Sequence, residues 1–258
     1  MLYQTYTLFI QKPIDFHYMA FVFFSTVCSY NLHWMLTPNS VNPSSRVNWS
    51  IQHRGWHLFL FIAGLLLSFY YFTFFISHWF WIGISAFLTF LYTAPKIPFA
   101  PFPLLKKIAV GKTFFLAFVW TYVTAILPHL VESETLTIQS ILFCSGQFFM
   151  IYAICILFDY RDREDDDVDG IRSMVAFLSE KGITQLFILS IILSAAFFIF
   201  LSNEGIEWKY IFILLTPLLI LPLLFTYAKK NFSDYLYYFV LDGLMMLSGL
   251  ILWIMSWF

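Results

Sequence analysis

Seven of the fifteen acidic residues fall within eleven consecutive positions: Asp159, Asp162, Glu164, Asp165, Asp166, Asp167 and Asp169. They follow a long apolar run that ends at Phe158. If a helix continues through this stretch, Asp159, Asp162 and Asp166 lie at offsets of 0, 3 and 7. At ~100° per residue those offsets fall within a stripe only ~60° wide. Three carboxylates on one helix face repel each other unless a cation neutralises them, and hard oxygen ligands of this kind suit Mg²⁺. The alternative is a solvated acidic loop that merely ends the helix. Arg161 with Asp165 and Arg163 with Asp167 then form i,i+4 ion pairs on other faces, leaving Asp159, Asp162 and Asp166 out.

The elements that carry this cluster are membrane helices. Of the 258 residues 60% are hydrophobic and 11% charged, where a soluble domain carries about 25% charged residues. That composition excludes a water-soluble globule and a disordered chain. The net charge of −1 gives no basic face for a nucleic acid. A spanning helix needs about 20 mostly apolar residues, and eight segments qualify: near 16–36, 57–77, 79–95, 113–130, 138–158, 183–202, 209–228 and 235–256. The expected fold is an all-α polytopic transmembrane bundle forming one domain over residues 1–258.

The basic residues set an orientation. Arg46 and Arg54 follow the first segment, and Lys96, Lys106, Lys107 and Lys112 follow the third. Arg161, Arg163, Arg172 and Lys181 follow the fifth, and Lys229 and Lys230 the seventh. With eight crossings these loops share one side, and only Lys12 and Lys209 lie on the other. The positive-inside rule puts the basic loops in the cytoplasm and both termini outside, in the inner membrane if the cell is bacterial. Asn48-Trp49-Ser50 and Asn231-Phe232-Ser233 match the glycosylation sequon but fall on the cytoplasmic side. Cys28, Cys144 and Cys155 sit in apolar runs without CxxC spacing, as buried thiols do. Asp242, inside the last segment, is expected to face the bundle interior, to bind an acceptor or to pair with another helix.

The stretch Asp159-x-x-Asp162-x-x-x-Asp166-x-x-x-Gly170-Ile171-Arg172-Ser173 resembles the second aspartate-rich motif of the UbiA superfamily of intramembrane prenyltransferases. Tyr92-Thr93-Ala94-Pro95-Lys96 is similar to that family's Tyr-containing segment. The resemblance implies a UbiA-like bundle that transfers an isoprenoid group from a prenyl diphosphate to a lipophilic or aromatic acceptor in membrane lipid. It implies Mg²⁺ held by Asp159, Asp162 and Asp166, with Asn31, Tyr92, Lys96, Lys112 and Arg172 at the substrate. The family's first motif is an Asn with Asp four and eight positions on. Here Asn31 is followed by Met35 and Asn39, so the first carboxylate cluster is lost. One helix precedes that point where the family usually has two, so an N-terminal helix is expected to be missing.

Two functions from different classes follow: a divergent Mg²⁺-dependent prenyltransferase, or a catalytically degenerate bundle that binds an isoprenoid or a partner protein. A small-solute transporter is least favoured, because the charges gather at one face and the midplane lacks paired Gly-rich helix breaks. The four lysines between the third and fourth segments could bind phosphate as point charges or simply obey the topology rule.

Overall fold

The computed structural model describes residues 1–36, 45–94, 112–132, 135–168 and 174–258, with the side chains of 45–47, 112, 164–168, 174 and 176 set aside. Among the described residues every regular element is helical. In chain order they are α1 (Leu2–Thr5, extended by a π turn Tyr6–Ile10), α2 (Phe16–Met35), α3 (Ser45–Gln52), α4 (Arg54–Phe72), a 3₁₀ segment Thr73–His78 and α5 (Trp79–Thr93). Next come α6 (Lys112–Thr121), a π turn Tyr122–Ile126, α7 (Leu127–Glu132), α8 (Ile138–Val168), α9 (Met174–Phe177) and α10 (Glu180–Phe200) with a 3₁₀ segment Leu201–Glu204. The chain ends with α11 (Trp208–Ala228), a π turn Leu236–Leu241 and α12 (Asp242–Met255). Each of the eight apolar segments expected from hydropathy is helical over most of its described residues. Two compact units result, one of residues 14–106 and one of 1–13 with 107–258.

In the unit of residues 14–106, Asp15 caps α2 by accepting from the His17 and Tyr18 amides at 2.6 and 3.4 Å, which satisfies two orphan donors of the first turn. The start of α2 touches the end of α4: His17 stacks on Phe74 at 4.1 Å, and Tyr18 meets Phe75 edge-on at 5.6 Å. The end of α2 meets the start of α4, where Asn31 Oδ1 lies 2.8 Å from His57 Nδ1. That same end meets the end of α5, where His33 stacks on Tyr92 at 5.2 Å. So α4 runs against α2 and α5 runs with it.

This settles the 40-residue apolar stretch Arg54–Thr93. Straight, it would be ~60 Å long, about twice the hydrocarbon core. It is instead a hairpin that breaks at Phe75, whose φ of −121° and ψ of 24° are not helical. Six stretches of the described residues are long and apolar enough to cross a membrane, this hairpin counted as one. Only 11% of its most apolar window is buried, and Phe59, Leu66 and Phe69 are largely exposed. Such faces suit lipid.

Gly64 lets α2 and α4 approach. A Cβ there would stand 2.8 Å from the Cys28 amide nitrogen and 3.0 Å from the Phe24 carbonyl oxygen. Backbone atoms cannot swing aside as a side-chain end can. Gly64→Ala is therefore expected to destabilise the protein by about 1–3 kcal/mol, read as a lower Tm in detergent. An unchanged Tm would show that these helices are not closely seated.

The other unit is an up-and-down set centred on α8, whose apolar window is 67% buried. Thr113 of α6 hydrogen-bonds Asp159 near the end of α8, while Gln139 near its start donates to the Glu204 carbonyl after α10 at 2.6 Å. Glu180 opens α10 and binds Lys229 beyond α11 at 2.5 Å. Tyr237, ahead of α12, donates to the Ala228 carbonyl at 2.9 Å. The start of α6, the end of α8, the start of α10, the end of α11 and the start of α12 thus share one end of this unit.

A short helical piece precedes α2. The α1 segment and its π turn rise only about 13 Å, less than half a crossing. Hydropathy over a spanning-length window cannot register it. It is nonetheless core: Gln4, Thr5 and Tyr6 are buried, Thr5 donates to the Thr124 carbonyl at 2.9 Å, and Tyr6 donates to Glu132 at 3.1 Å.

Candidate active site

Helix α8 does not stop at the acidic cluster. It runs unbroken through Asp159, Asp162 and Asp166 to Val168, so the three positions share the stripe that their spacing predicts. Asp159 is buried, 5% exposed, and its Oδ2 accepts from the Thr113 hydroxyl on α6. A buried carboxylate needs such donors to offset lost hydration. Asp162 is more open, with 38% of its side chain exposed. The side chain of Asp166 lies outside the described residues, as do Lys96 and Arg172 entirely and the side chain of Lys112. The backbone does place Lys112 next to Thr113, at the first residue of α6.

Arg161 makes contacts beyond the i,i+4 ion pairs expected from spacing, whose partners Asp165 and Asp167 have side chains outside the described residues. Its Nε bonds Asp162 Oδ1 at 2.6 Å, and its Nη2 donates to the Tyr238 hydroxyl at 2.6 Å. The guanidinium also lies over the rings of Phe158, Tyr237 and Tyr238, 5.2, 4.6 and 4.8 Å from their centroids. The π turn Leu236–Leu241 brings two consecutive tyrosines onto one cation. Because this cage draws Arg161 inward to 11% exposure, it grips the adjacent carboxylate. Asp162 is therefore inside an ion pair rather than left out. Arg163 likewise reaches Glu180 of α10 at 2.8 Å, and Tyr160 donates to the same carboxylate at 3.1 Å.

Below Asp159 the stripe turns aromatic. Tyr152 and Phe148 lie seven and eleven residues earlier and stack at 5.9 Å. Phe114, next to Thr113, meets their rings at 6.1 and 4.8 Å. Ring faces of this kind attract a cation when it is desolvated. Composition alone could not select these three among 57 aromatic side chains.

Asn31 and Tyr92 belong to the other unit and meet at one end of it, through α2. The Asn31 amide is held on both sides, donating from Nδ2 to the Val27 carbonyl at 2.7 Å and facing His57 with Oδ1. Tyr92 is half-buried against His33. Thr113, Arg161 and Tyr238 are the residues around the α8 stripe that sequence reasoning did not assign to it. Only Arg161 carried a signal, as a cation amid the acidic run.

The profile of the UbiA prenyltransferase family matches residues 17–255, nearly the whole chain. The chain belongs to the UbiA prenyltransferase family. Neither a curated protein nor a solved structure gives a significant match. Members of the family are membrane-embedded prenyltransferases, generally dependent on a divalent metal. Among the described residues no three His, Cys, Asp or Glu side chains converge as a cage. The donor type on that face of α8, hard carboxylate oxygens at Asp159 and Asp162, is the type that Mg²⁺ takes.

Proposed function

We propose that this UbiA-family chain transfers an isoprenoid group from a prenyl diphosphate to a lipophilic or aromatic acceptor, with both units acting as one domain. The supporting observation is the unbroken α8, which carries Asp159, Asp162 and Asp166 on one stripe. These three would hold Mg²⁺, which, when bound, neutralises charge on a leaving diphosphate. The chain's own groups prepare that site. Thr113 fixes the Asp159 carboxylate. Arg161 fixes Asp162 through one oxygen and leaves the other to a ligand. Lys112 and Arg172 offer positive charge to phosphate oxygens, and the family resemblance gives Lys96, Asn31 and Tyr92 substrate-binding roles. Phe114, Phe148 and Tyr152 present ring faces to the allylic carbon and keep water from it.

A second reading, the non-catalytic isoprenoid or partner binder, is favoured by one fact: Met35 and Asn39 replace the aspartates of the first motif. Incubating the purified protein with geranyl, farnesyl and geranylgeranyl diphosphate, with and without Mg²⁺, separates the two. The enzyme releases diphosphate only with Mg²⁺, and the binder releases none.

The same reading sets the topology. Within the unit around α8, Lys112, Arg161, Arg163 and Lys229 gather at the Asp159 end. With eight crossings, that end faces the cytoplasm and both termini lie outside. A reporter fused after Phe258 should be active only in its extracytoplasmic form, and cytoplasmic activity would contradict the count or the orientation.

A further inference from the structure

A cavity of about 340 Å³ opens at the end of the α8 unit away from Asp159. It lies where the π turn after α1 meets the loop joining the 3₁₀ segment Leu201–Glu204 to α11, wholly within residues 1–13 and 107–258. Thr7 and Gln11 line it from the first segment, and Glu207 and Tyr210 from the second. Its size falls at the small end of ligand pockets, which span about 300–1,000 Å³. Among the described residues, the two with positive φ both line it, Gln11 at 55° and Gly205 at 86°. Glycine takes that conformation freely, but glutamine does so at a cost, and such strain gathers at ligand sites.

The protein's own side chains show which charge the cavity takes. Lys209 Nζ stands 2.9 Å from Glu207 Oε2 and 4.7 Å from the centre of the Tyr210 ring. A carboxylate and a ring that both line the cavity thus already hold a primary ammonium. The side chains of Glu207 and Lys209 are 64% and 51% exposed, so their pair is weak and readily exchanged. An incoming ammonium replaces Lys209, donating to Glu207 and lying on the ring. Lys209, released beside it, then meets an anion carried by the same molecule. Thr7 and Gln11 add neutral hydrogen-bonding groups. The complementary molecule carries a primary ammonium and an anion close together.

The surroundings say where that molecule resides. Trp208, Phe212, Leu219 and Leu223 fall within a stripe of α11 ~60° wide, and all are largely exposed. A tryptophan at the head of such an apolar stripe marks the depth of lipid head groups. We propose that the cavity binds an aminophospholipid of the phosphatidylethanolamine type, its ammonium at Glu207 and Tyr210 and its phosphate at Lys209. The acyl chains lie along the exposed stripe of α11. The proposal stands apart from the transferase reading, which concerns the opposite end of the unit.

Native mass spectrometry of the purified protein in detergent tests it with dioleoyl phosphatidylethanolamine, phosphatidylcholine and phosphatidylglycerol. The parent should retain the ethanolamine lipid about ten-fold more than the other two. A choline head cannot donate a hydrogen bond to Glu207, and a glycerol head brings no cation. Glu207→Gln should remove the preference with Tm unchanged, since the side chain is exposed. Tyr210→Leu should also weaken it and decides the matter if the Gln variant does not fold. Equal retention of the three lipids by the parent overturns the proposal, as does a preference that survives in the folded variant. Free phosphoethanolamine separates the lipid from a soluble amine. Competition only far above the lipid's concentration is the expected result, and equal competition would assign the cavity to the soluble amine and overturn the lipid.

Discussion

Asp162→Asn is expected to abolish prenyl transfer, by at least about a hundred-fold, while leaving the protein folded. The substitution preserves shape and removes one negative charge from a site already short of carboxylates, because Met35 and Asn39 stand where the first motif has aspartates. Losing a single preorganised electrostatic contact at a reacting centre costs about 10²–10³ in rate. Folding should survive because Asp162 is 38% exposed and an amide oxygen can still accept from Arg161. Turnover of farnesyl diphosphate and thermal unfolding, measured on the same preparation, check both halves. Transfer at the parental rate would remove Asp162 from the site.

Arg161→Leu is expected to damage stability and activity together. The guanidinium is almost buried, bonds Asp162 and Tyr238, and lies over three rings. Breaking a buried pair costs about 3–5 kcal/mol, but Asp162 can turn to water, so about 2–3 kcal/mol is expected, with the cation–π contacts included. In the fraction that remains folded, Asp162 loses the partner that fixes its rotamer, and a misplaced carboxylate costs rate steeply. Arg161→Lys should fall between the two, since a point charge cannot bond Asp162 and Tyr238 through a planar fork. The midpoint of thermal unfolding and the transfer rate test this. A Leu variant equal to the parent in both would show that the cage is incidental.

The sequence carries the helices plainly and their partners poorly. Continuous apolar runs locate every long helix, and the D-x-x-D-x-x-x-D spacing locates the stripe, because both are properties of one helix read along itself. A break between α4 and α5 is legible for the same reason, although the gap between the segments 57–77 and 79–95 falls at residue 78 and the backbone breaks at Phe75. What was missed depends on contacts across the chain. Thr113 meets Asp159 over 46 residues, Asn31 meets His57 over 26, and Arg161 meets Tyr238 over 77. Arg161 also reaches Tyr238, because two tyrosines from a π turn draw the guanidinium inward, a contact that one helix surface read along itself does not reveal. The buried N-terminal piece escaped because nine or so residues give no spanning signal, although their side chains are core.

The most direct test of the account is equilibrium binding of farnesyl thiolodiphosphate, an analogue whose carbon–sulfur bond resists cleavage, to the purified parent protein in detergent. The acidic stripe of α8 would repel a bare diphosphate and hold it only through metal. The account predicts binding in Mg²⁺ that is lost on chelation and lost in Asp162→Asn. Binding of equal strength without Mg²⁺, or no binding in its presence, would contradict it.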